Sequence, residues 1–158
     1  MIKILITGAP TIGKTSLAKR LAENLGYKYV ADKEILPVGS YEEITFQGSL
    51  LKEVDVEKLN LKDDSFDDNT VFEGLLFPET DLHFDVIFML YLSEDELRKR
   101  LTARGYSDAK IEDNVFSQNS GYLRDLSEKI CETVFILQRQ SLSEDLKVIE
   151  DILQDISK

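Results

Sequence analysis

A glycine-containing segment near the start of the chain has the residue types and spacing of a phosphate-binding loop. Four residues separate Gly8 from Gly13, and Lys14 follows directly. Backbone N–H groups of such a loop form an anion nest, while the lysine reaches the outer phosphates and a threonine hydroxyl binds Mg²⁺. A side chain at Gly13 would crowd the phosphates. The alternative is a chance glycine turn between a strand and a helix. The pattern predicts that the phosphates of ATP are bound by Gly8, Thr11, Ile12, Gly13, Lys14, Thr15 and Ser16.

Glu73 is a second candidate, because it ends a short apolar run immediately before Gly74. Parallel sheets place their sites at the carboxyl ends of strands, so a carboxylate here would face the phosphate loop. It could hold a water of the Mg²⁺ shell, with Thr15 as the direct ligand. The alternative is an exposed acid at the end of a strand. We expect Glu73 to contribute to catalysis.

Two arginines lie on one face of a later helix. Arg100 and Arg104 are four residues apart, which is the spacing of neighbours on a helix surface. The same helix carries acids first and bases last, a layout that the helix dipole favours without any function. We interpret Arg98 and Lys99 in that way, and retain Arg100 and Arg104 beside Lys14 as catalytic candidates.

The elements that must position these residues alternate between strands and helices. Apolar runs predict strands at 2–7, 27–30, 70–73, 85–92 and 133–137. Leucine spacing, glycine stops and serine caps predict helices at 15–25, from Ser93 to about Arg104, from 108 to about 131, and after the capping box at Ser141. This alternation predicts a three-layer α/β/α fold on a five-stranded parallel sheet.

Composition limits the remaining possibilities. The chain has 158 residues, enough for one domain, and its net charge of -11 argues against direct nucleic-acid binding. Its apolar runs are too short to span a membrane. The single cysteine, Cys131, excludes an internal disulfide and is expected to be a small buried hydrophobe. The single histidine, His83, is expected in a surface loop. We expect a soluble, intracellular, cytoplasmic protein, or a nuclear one in a eukaryote.

Two segments together resemble the adenylate kinase isoenzyme 6 family. They are the loop from Gly8 to Ser16 and the stretch from Arg100 to Asn114, in which Arg104-Gly105-Tyr106-Ser107 is the specific part. The resemblance extends over most of the chain, including Phe77-Pro78-Glu79. It implies a P-loop nucleoside monophosphate kinase fold, with a monophosphate-binding insertion at about 31–54 and a short lid at about 105–115. Arg104 would reach the ATP phosphates from the lid, with Arg100 beside it.

The family resemblance also implies an activity and a partner. Family members are adenylate kinases with ATPase activity, linked to maturation of the small ribosomal subunit through a ribosomal protein. An acidic chain is electrostatically suited to such a basic partner. Our first hypothesis is therefore a monomeric enzyme that moves the γ-phosphoryl group of Mg-ATP to AMP. The second is a nucleotide-gated assembly factor with little turnover.

Three positions depart from the family pattern. The family carries an Asp-x-His pair after the third strand, tied to hydrolysis, whereas Glu73-Gly74 here is closer to the Asp-Gly of ordinary adenylate kinases. No arginine occurs between residues 21 and 97, so Lys33 or the lid arginines must contact AMP, or AMP binds weakly. Thr11 replaces a common glycine, a change that is tolerable if its φ is negative.

Overall fold

The computed structural model of the protein describes residues 2–32, 69–75, 77–79 and 82–157. The predicted monophosphate-binding insertion at about 31–54, including Lys33, therefore lies outside the described residues except for positions 31 and 32. The insertion and the lid at about 105–115 remain predictions.

The described part of the chain contains five strands and five α-helices. The strands are β1 (Lys3–Gly8), β2 (Lys28–Ala31), β3 (Thr70–Glu73), β4 (Val86–Tyr91) and β5 (Val134–Gln138). The helices are α1 (Lys14–Leu25), α2 (Glu94–Ala103), α3 (Asp108–Ser120), α4 (Tyr122–Ile130) and α5 (Leu142–Ile156), with a short 3₁₀ helix at Phe77–Glu79. Each strand was predicted from its apolar run, and the observed bounds confirm those predictions to within a residue.

The strands form one parallel sheet in the order β2-β3-β1-β4-β5. In the centre, Ile6 of β1 is in register with Glu73 of β3 and with Phe88 of β4. The carboxyl ends of β1 and β3 therefore lie side by side at one edge, where β1 continues into the phosphate loop. With helices against the sheet, this is the predicted three-layer α/β/α P-loop fold.

The central strands contribute side chains to a core cluster on each face of the sheet, because successive side chains of a strand point to opposite faces. Ile4 and Ile6 belong to the core cluster that includes residues of α1 and α5, whereas Leu5 belongs to a second cluster on the other face. In that second cluster the Phe72 ring meets the rings of Phe77 and Phe84 edge to face, at centroid distances of 5.2 and 5.3 Å. The sheet is therefore a rigid platform for the loops at its carboxyl edge.

Local signals fix where the helices begin and end. Ser93 and Ser141 accept hydrogen bonds from the backbone N–H groups of the residues three positions later, at 3.3 and 3.2 Å, which confirms both predicted caps. The predicted helical stretch from 108 to 131 is divided at Gly121, whose φ of +78° suits glycine. Among the described residues, no helix has the length and apolar character needed to cross a membrane.

The single cysteine, Cys131, and the single histidine, His83, lie where the sequence predicts. Cys131 is buried, and this burial raises the pKa of its thiol. Such a thiol is a poor nucleophile, consistent with its packing role. His83 is exposed on a loop, 3.9 Å from the carboxylate of Asp85.

Candidate active site

The loop at residues 9–13 connects the carboxyl end of β1 to the first turn of α1. Gly13 has a φ of +92° and precedes α1 without any side-chain cap on the helix. The backbone N–H groups of the first helical turn therefore have no capping side chain, and the positive end of the helix dipole lies at the loop. This geometry is suited to a bound anion.

Lys14 is buried and turns back over its own loop. Its Nζ donates hydrogen bonds to the carbonyl oxygens of Gly8 and Ala9, at 2.9 and 2.8 Å. The ammonium group thus lies inside the curve of the loop and borders a cleft that Pro10, Thr11, Gly13, Thr15 and Ser16 also line. Most of the predicted loop residues therefore line this cleft beside Lys14. Ile12 is fully buried and does not line it, and Gly8 contributes the carbonyl oxygen that Lys14 binds.

Glu73 lies opposite the loop and is only 3% exposed, so the alternative of an exposed acid is wrong. Its Oε1 accepts a hydrogen bond from the Thr15 hydroxyl and its Oε2 accepts one from the Tyr29 hydroxyl, both at 2.9 Å. Tyr29 was not predicted, because a tyrosine in a short strand has no distinctive sequence signal. These two bonds fix the orientation of the carboxylate toward the cleft.

The pair formed by Thr15 and Glu73 meets the chemical requirements of a magnesium site. Mg²⁺ prefers oxygen ligands, retains several waters and is held in proteins by one or two carboxylates together with substrate phosphates. A hydroxyl and a carboxylate oxygen 2.9 Å apart, beside a phosphate loop, supply that donor set. The residues present fit the predicted ion: Thr15 would be its direct ligand, and Glu73 would act through water.

Arg100 and Arg104 both reach this region from α2, but in different ways. Arg100 donates from Nη1 to the carbonyl oxygen of Thr11 at 3.3 Å, and from Nε to Glu96 at 3.2 Å. Arg104, the residue that ends the helix, lines the same cleft as Lys14, with a volume of about 390 Å³. Arg100 therefore holds the loop backbone, while Arg104 faces the space next to it.

Arg98 lies on the partly exposed face of α2, consistent with its interpretation from the sequence, but it also forms ion pairs that were not predicted. Its guanidinium donates to both carboxylate oxygens of Glu112 on α3 and to Glu94 on its own helix. The bond from Arg98 holds the pKa of Glu112 below its ordinary value. Arg98 therefore connects α2 to α3 across the turn at Gly105, and the exposed Lys99 is the better control for mutagenesis.

Arg139, just after β5, is a site residue that the sequence analysis missed. Its Nη1 donates to the carbonyl oxygens of Ile12 and Gly13 at 3.0 and 3.2 Å. A Cβ at Gly13 would lie 2.6 Å from this Nη1, so a side chain there would displace the guanidinium of Arg139. The φ of +92° at Gly13 also favours glycine. The available signal was an isolated arginine after the last strand, at the edge where strands of a parallel sheet deliver site residues.

Thr11 does not meet the condition of a negative φ under which it would readily replace glycine, since its φ is +69°. A β-branched residue is a clear outlier in this left-handed region, because its side chain crowds the backbone. Backbone strain of this kind clusters at ligand-binding sites. The phosphate loop therefore adopts its shape against the intrinsic preference of one of its residues.

This strain predicts that Thr11→Gly stabilises the fold. The left-handed conformation costs a side-chain-bearing residue roughly 1–2 kcal/mol, and part of that gain is offset by the extra entropy of glycine in the unfolded chain. We expect the free energy of unfolding to rise by about 1 kcal/mol. Urea denaturation of both proteins measures this change. A decrease of similar size would contradict the strained geometry.

Fold and site together define a P-loop nucleotide-binding protein. Residues 4–121 match the protein family described as AAA domain. A Caenorhabditis elegans adenylate kinase isoenzyme 6 homolog is 34% identical over 156 residues, covering 90% of this chain and 75% of the relative. The chain belongs to this P-loop family, and its relatives include adenylate kinase-like proteins.

Archaeal relatives share a shorter region. A Thermococcus gammatolerans protein, itself only provisionally named an adenylate kinase, is 37% identical over 114 residues, which cover 71% of this chain and 62% of the relative. A Thermoplasma volcanium protein with the same provisional name is 30% identical over 156 residues, which cover 94% of this chain and 92% of the relative. The chain spans about six tenths of the length of the Thermococcus relative.

Solved structures share the fold at low identity. Deoxyadenosine kinase from M. mycoides with bound dATP has a TM-score of 0.65 at 17% identity, covering 97% of this chain and all of that one. Shikimate kinase from Bacteroides thetaiotaomicron has a TM-score of 0.62 at 18% identity, covering 97% and 98%. These similarities confirm the predicted architecture.

Proposed function

We propose that this protein is a nucleoside monophosphate kinase that transfers the γ-phosphoryl group of Mg-ATP to AMP. The observation that carries the proposal is the hydrogen-bonded pair of Thr15 and Glu73 in the cleft that Lys14 and Arg104 also line. Phosphoryl transfer requires cations and a bound metal ion around the phosphates, and this cleft offers Lys14, Arg104 and a pair suited to a metal ion. The names of the relatives support adenosine nucleotides as substrates.

The reaction needs positioning and charge neutralisation, with no covalent enzyme intermediate. A phosphate oxygen of AMP forms a bond to the γ-phosphorus, and the bond to the bridging β–γ oxygen breaks, which yields two ADP molecules. Lys14 follows the transferring group from the loop, while Arg104 neutralises charge from the end of α2. When bound, Mg²⁺ supplies electrostatic stabilisation of the phosphate oxygens. Glu73 orients the Thr15 hydroxyl by accepting its hydrogen bond at Oε1.

Glu73→Gln tests the magnesium-binding role. An amide keeps the size of the side chain but loses the negative charge, so its support for the metal weakens. Changes around metal ligands typically reduce activity about 10–100-fold, and we expect turnover to fall within that range with a modest change in ATP affinity. Steady-state kinetics at several Mg²⁺ concentrations measure the effect. A turnover that stays at the wild-type value at limiting Mg²⁺ would exclude this role.

The acceptor is identified by measuring ADP formation with AMP, CMP, UMP, GMP or no monophosphate. We expect a large increase in ADP with AMP, because without an acceptor only hydrolysis of ATP can form ADP. A rate of ADP formation that is the same with and without every monophosphate would identify hydrolysis of ATP instead of transfer. ATP binding without turnover would favour the second hypothesis, a nucleotide-gated protein that a basic partner recognises.

A further inference from the structure

The outer carbonyl groups of the phosphate loop are held by arginines from two other elements. Arg100 donates to Thr11, and Arg139 donates to Ile12 and Gly13, so three consecutive carbonyls face guanidinium groups. In a trans peptide, the N–H group points away from the carbonyl of the same plane. The bonds therefore direct the N–H groups of residues 12–14 away from the arginines.

Arg139 is the more firmly held of the two arginines. Its side chain is 8% exposed, and its Nε lies 2.7 Å from Oδ2 of Asp145, whose side chain is 4% exposed. The N–H of Nε does not point at this oxygen, so the contact is an ion pair without a hydrogen bond. Both oxygens of Asp145 accept from the backbone N–H of Gln140, at 3.2 and 3.3 Å. The turn between β5 and α5 therefore fixes the direction of the guanidinium.

We propose that Arg139 is a positioning residue that holds the strained phosphate loop in its phosphate-binding conformation, with Asp145 as its orienting partner. Thr11 at a φ of +69° opposes this conformation. Hydrogen bonds from a charged donor to the next two carbonyls offset the strain before any nucleotide arrives. The identification of the ligand as a nucleoside di- or triphosphate rests on the proposed function. The conformational role has a readout that needs no nucleotide.

The test combines removal of the arginine with removal of the strain. Arg139→Ala alone would leave a buried, unpaired carboxylate, which can prevent folding. We therefore use Arg139→Met with Asp145→Asn, in the presence and absence of Thr11→Gly. The first readout is amide hydrogen exchange of residues 12–14 by NMR in nucleotide-free protein. The second is the Kd of ADP by calorimetry, and thermal melts report the fold.

We expect the variant pair to increase loop exchange and to raise the Kd of ADP, each by about tenfold, the loss expected for a charge-assisted hydrogen bond. Adding Thr11→Gly should bring the loop exchange rate and the Kd of ADP most of the way back to their wild-type values, because glycine adopts a positive φ without strain. Arg124→Met is the matched control, since Arg124 pairs with Glu128 on the surface of α4. The Arg124→Met variant should leave the amide exchange of residues 12–14 and the Kd of ADP unchanged.

Two outcomes would overturn the proposal. Unchanged loop exchange with a lower melting temperature would show that Arg139 and Asp145 only stabilise the fold. Equal losses with and without Thr11→Gly would show that the loop strain is not what Arg139 offsets. If wild-type protein forms no ADP from ATP and AMP, the proposed function fails, yet the exchange measurement still decides the role of Arg139.

Discussion

Lys14→Met is expected to reduce turnover by roughly a thousandfold, because preorganised charge is commonly the largest contribution to catalysis of this kind. The ammonium is fixed by bonds to Gly8 and Ala9 at the start of the loop. In the proposed mechanism it follows the group in transfer. Methionine matches the length of the apolar stem of lysine, so the buried methylene contacts survive while the ammonium and its hydrogen bonds are lost. Steady-state ADP formation at saturating ATP and AMP measures this effect.

The fold should survive this substitution, since the core of the sheet does not depend on the ammonium. A thermal melt checks that point, and exposed Lys147 on α5 provides the matched control, Lys147→Met. Turnover of Lys14→Met close to that of Lys147→Met would contradict the assignment of the loop as the phosphate site.

Arg104→Ala is expected to reduce turnover by roughly a hundredfold, by analogy with other arginines that stabilise phosphoryl transfer. Arg104 lies at the end of α2, directly before Gly105 with its φ of +84°, and lines the cleft. Charge on the transferring group spreads over its oxygens in the transition state, so the arginine should affect kcat more than the affinity for ATP. Arg104→Lys should recover only part of the activity, because an ammonium cannot make a bidentate contact.

Lys99→Ala is the control for Arg104, since Lys99 is exposed on the same helix and carries the same charge. It should leave kcat and the melting temperature unchanged. Equal kinetics for the Lys99 and Arg104 variants would mean that the basic end of α2 only complements its dipole. Arg98 is less suitable for this comparison, because its loss would also remove the surface ion pair between α2 and Glu112 of α3.

Much of the fold could be predicted because its signals are local. The apolar runs identify the five strands, and the serines at 93 and 141 identify helix starts through their own backbone contacts. The loop from Gly8 to Thr15 is equally local, since its spacing alone defines an anion nest. The position of Glu73 follows from one further rule, namely that strand ends of a parallel sheet meet at one edge.

The remaining features depend on tertiary packing. Arg139 is 126 residues from Gly13 in sequence and contacts it only because β5 ends at the same edge as β1. The positive φ of Thr11 is equally invisible in the sequence, since a threonine there favours the opposite sign. The ion pair of Arg98 was not predicted because its partner, Glu112, belongs to another helix. Pairing between distant residues is the information that composition and spacing lack.

Transfer of a labelled γ-phosphoryl group tests the central claim most directly. ATP labelled with ³²P at the γ-position is incubated with unlabelled AMP, Mg²⁺ and the protein, and the products are separated by thin-layer chromatography. The proposed kinase moves the label into ADP, and Lys14→Met strongly reduces the rate at which this product forms. Label found only as inorganic phosphate, at a rate independent of AMP, would contradict the proposal that this protein is a nucleoside monophosphate kinase.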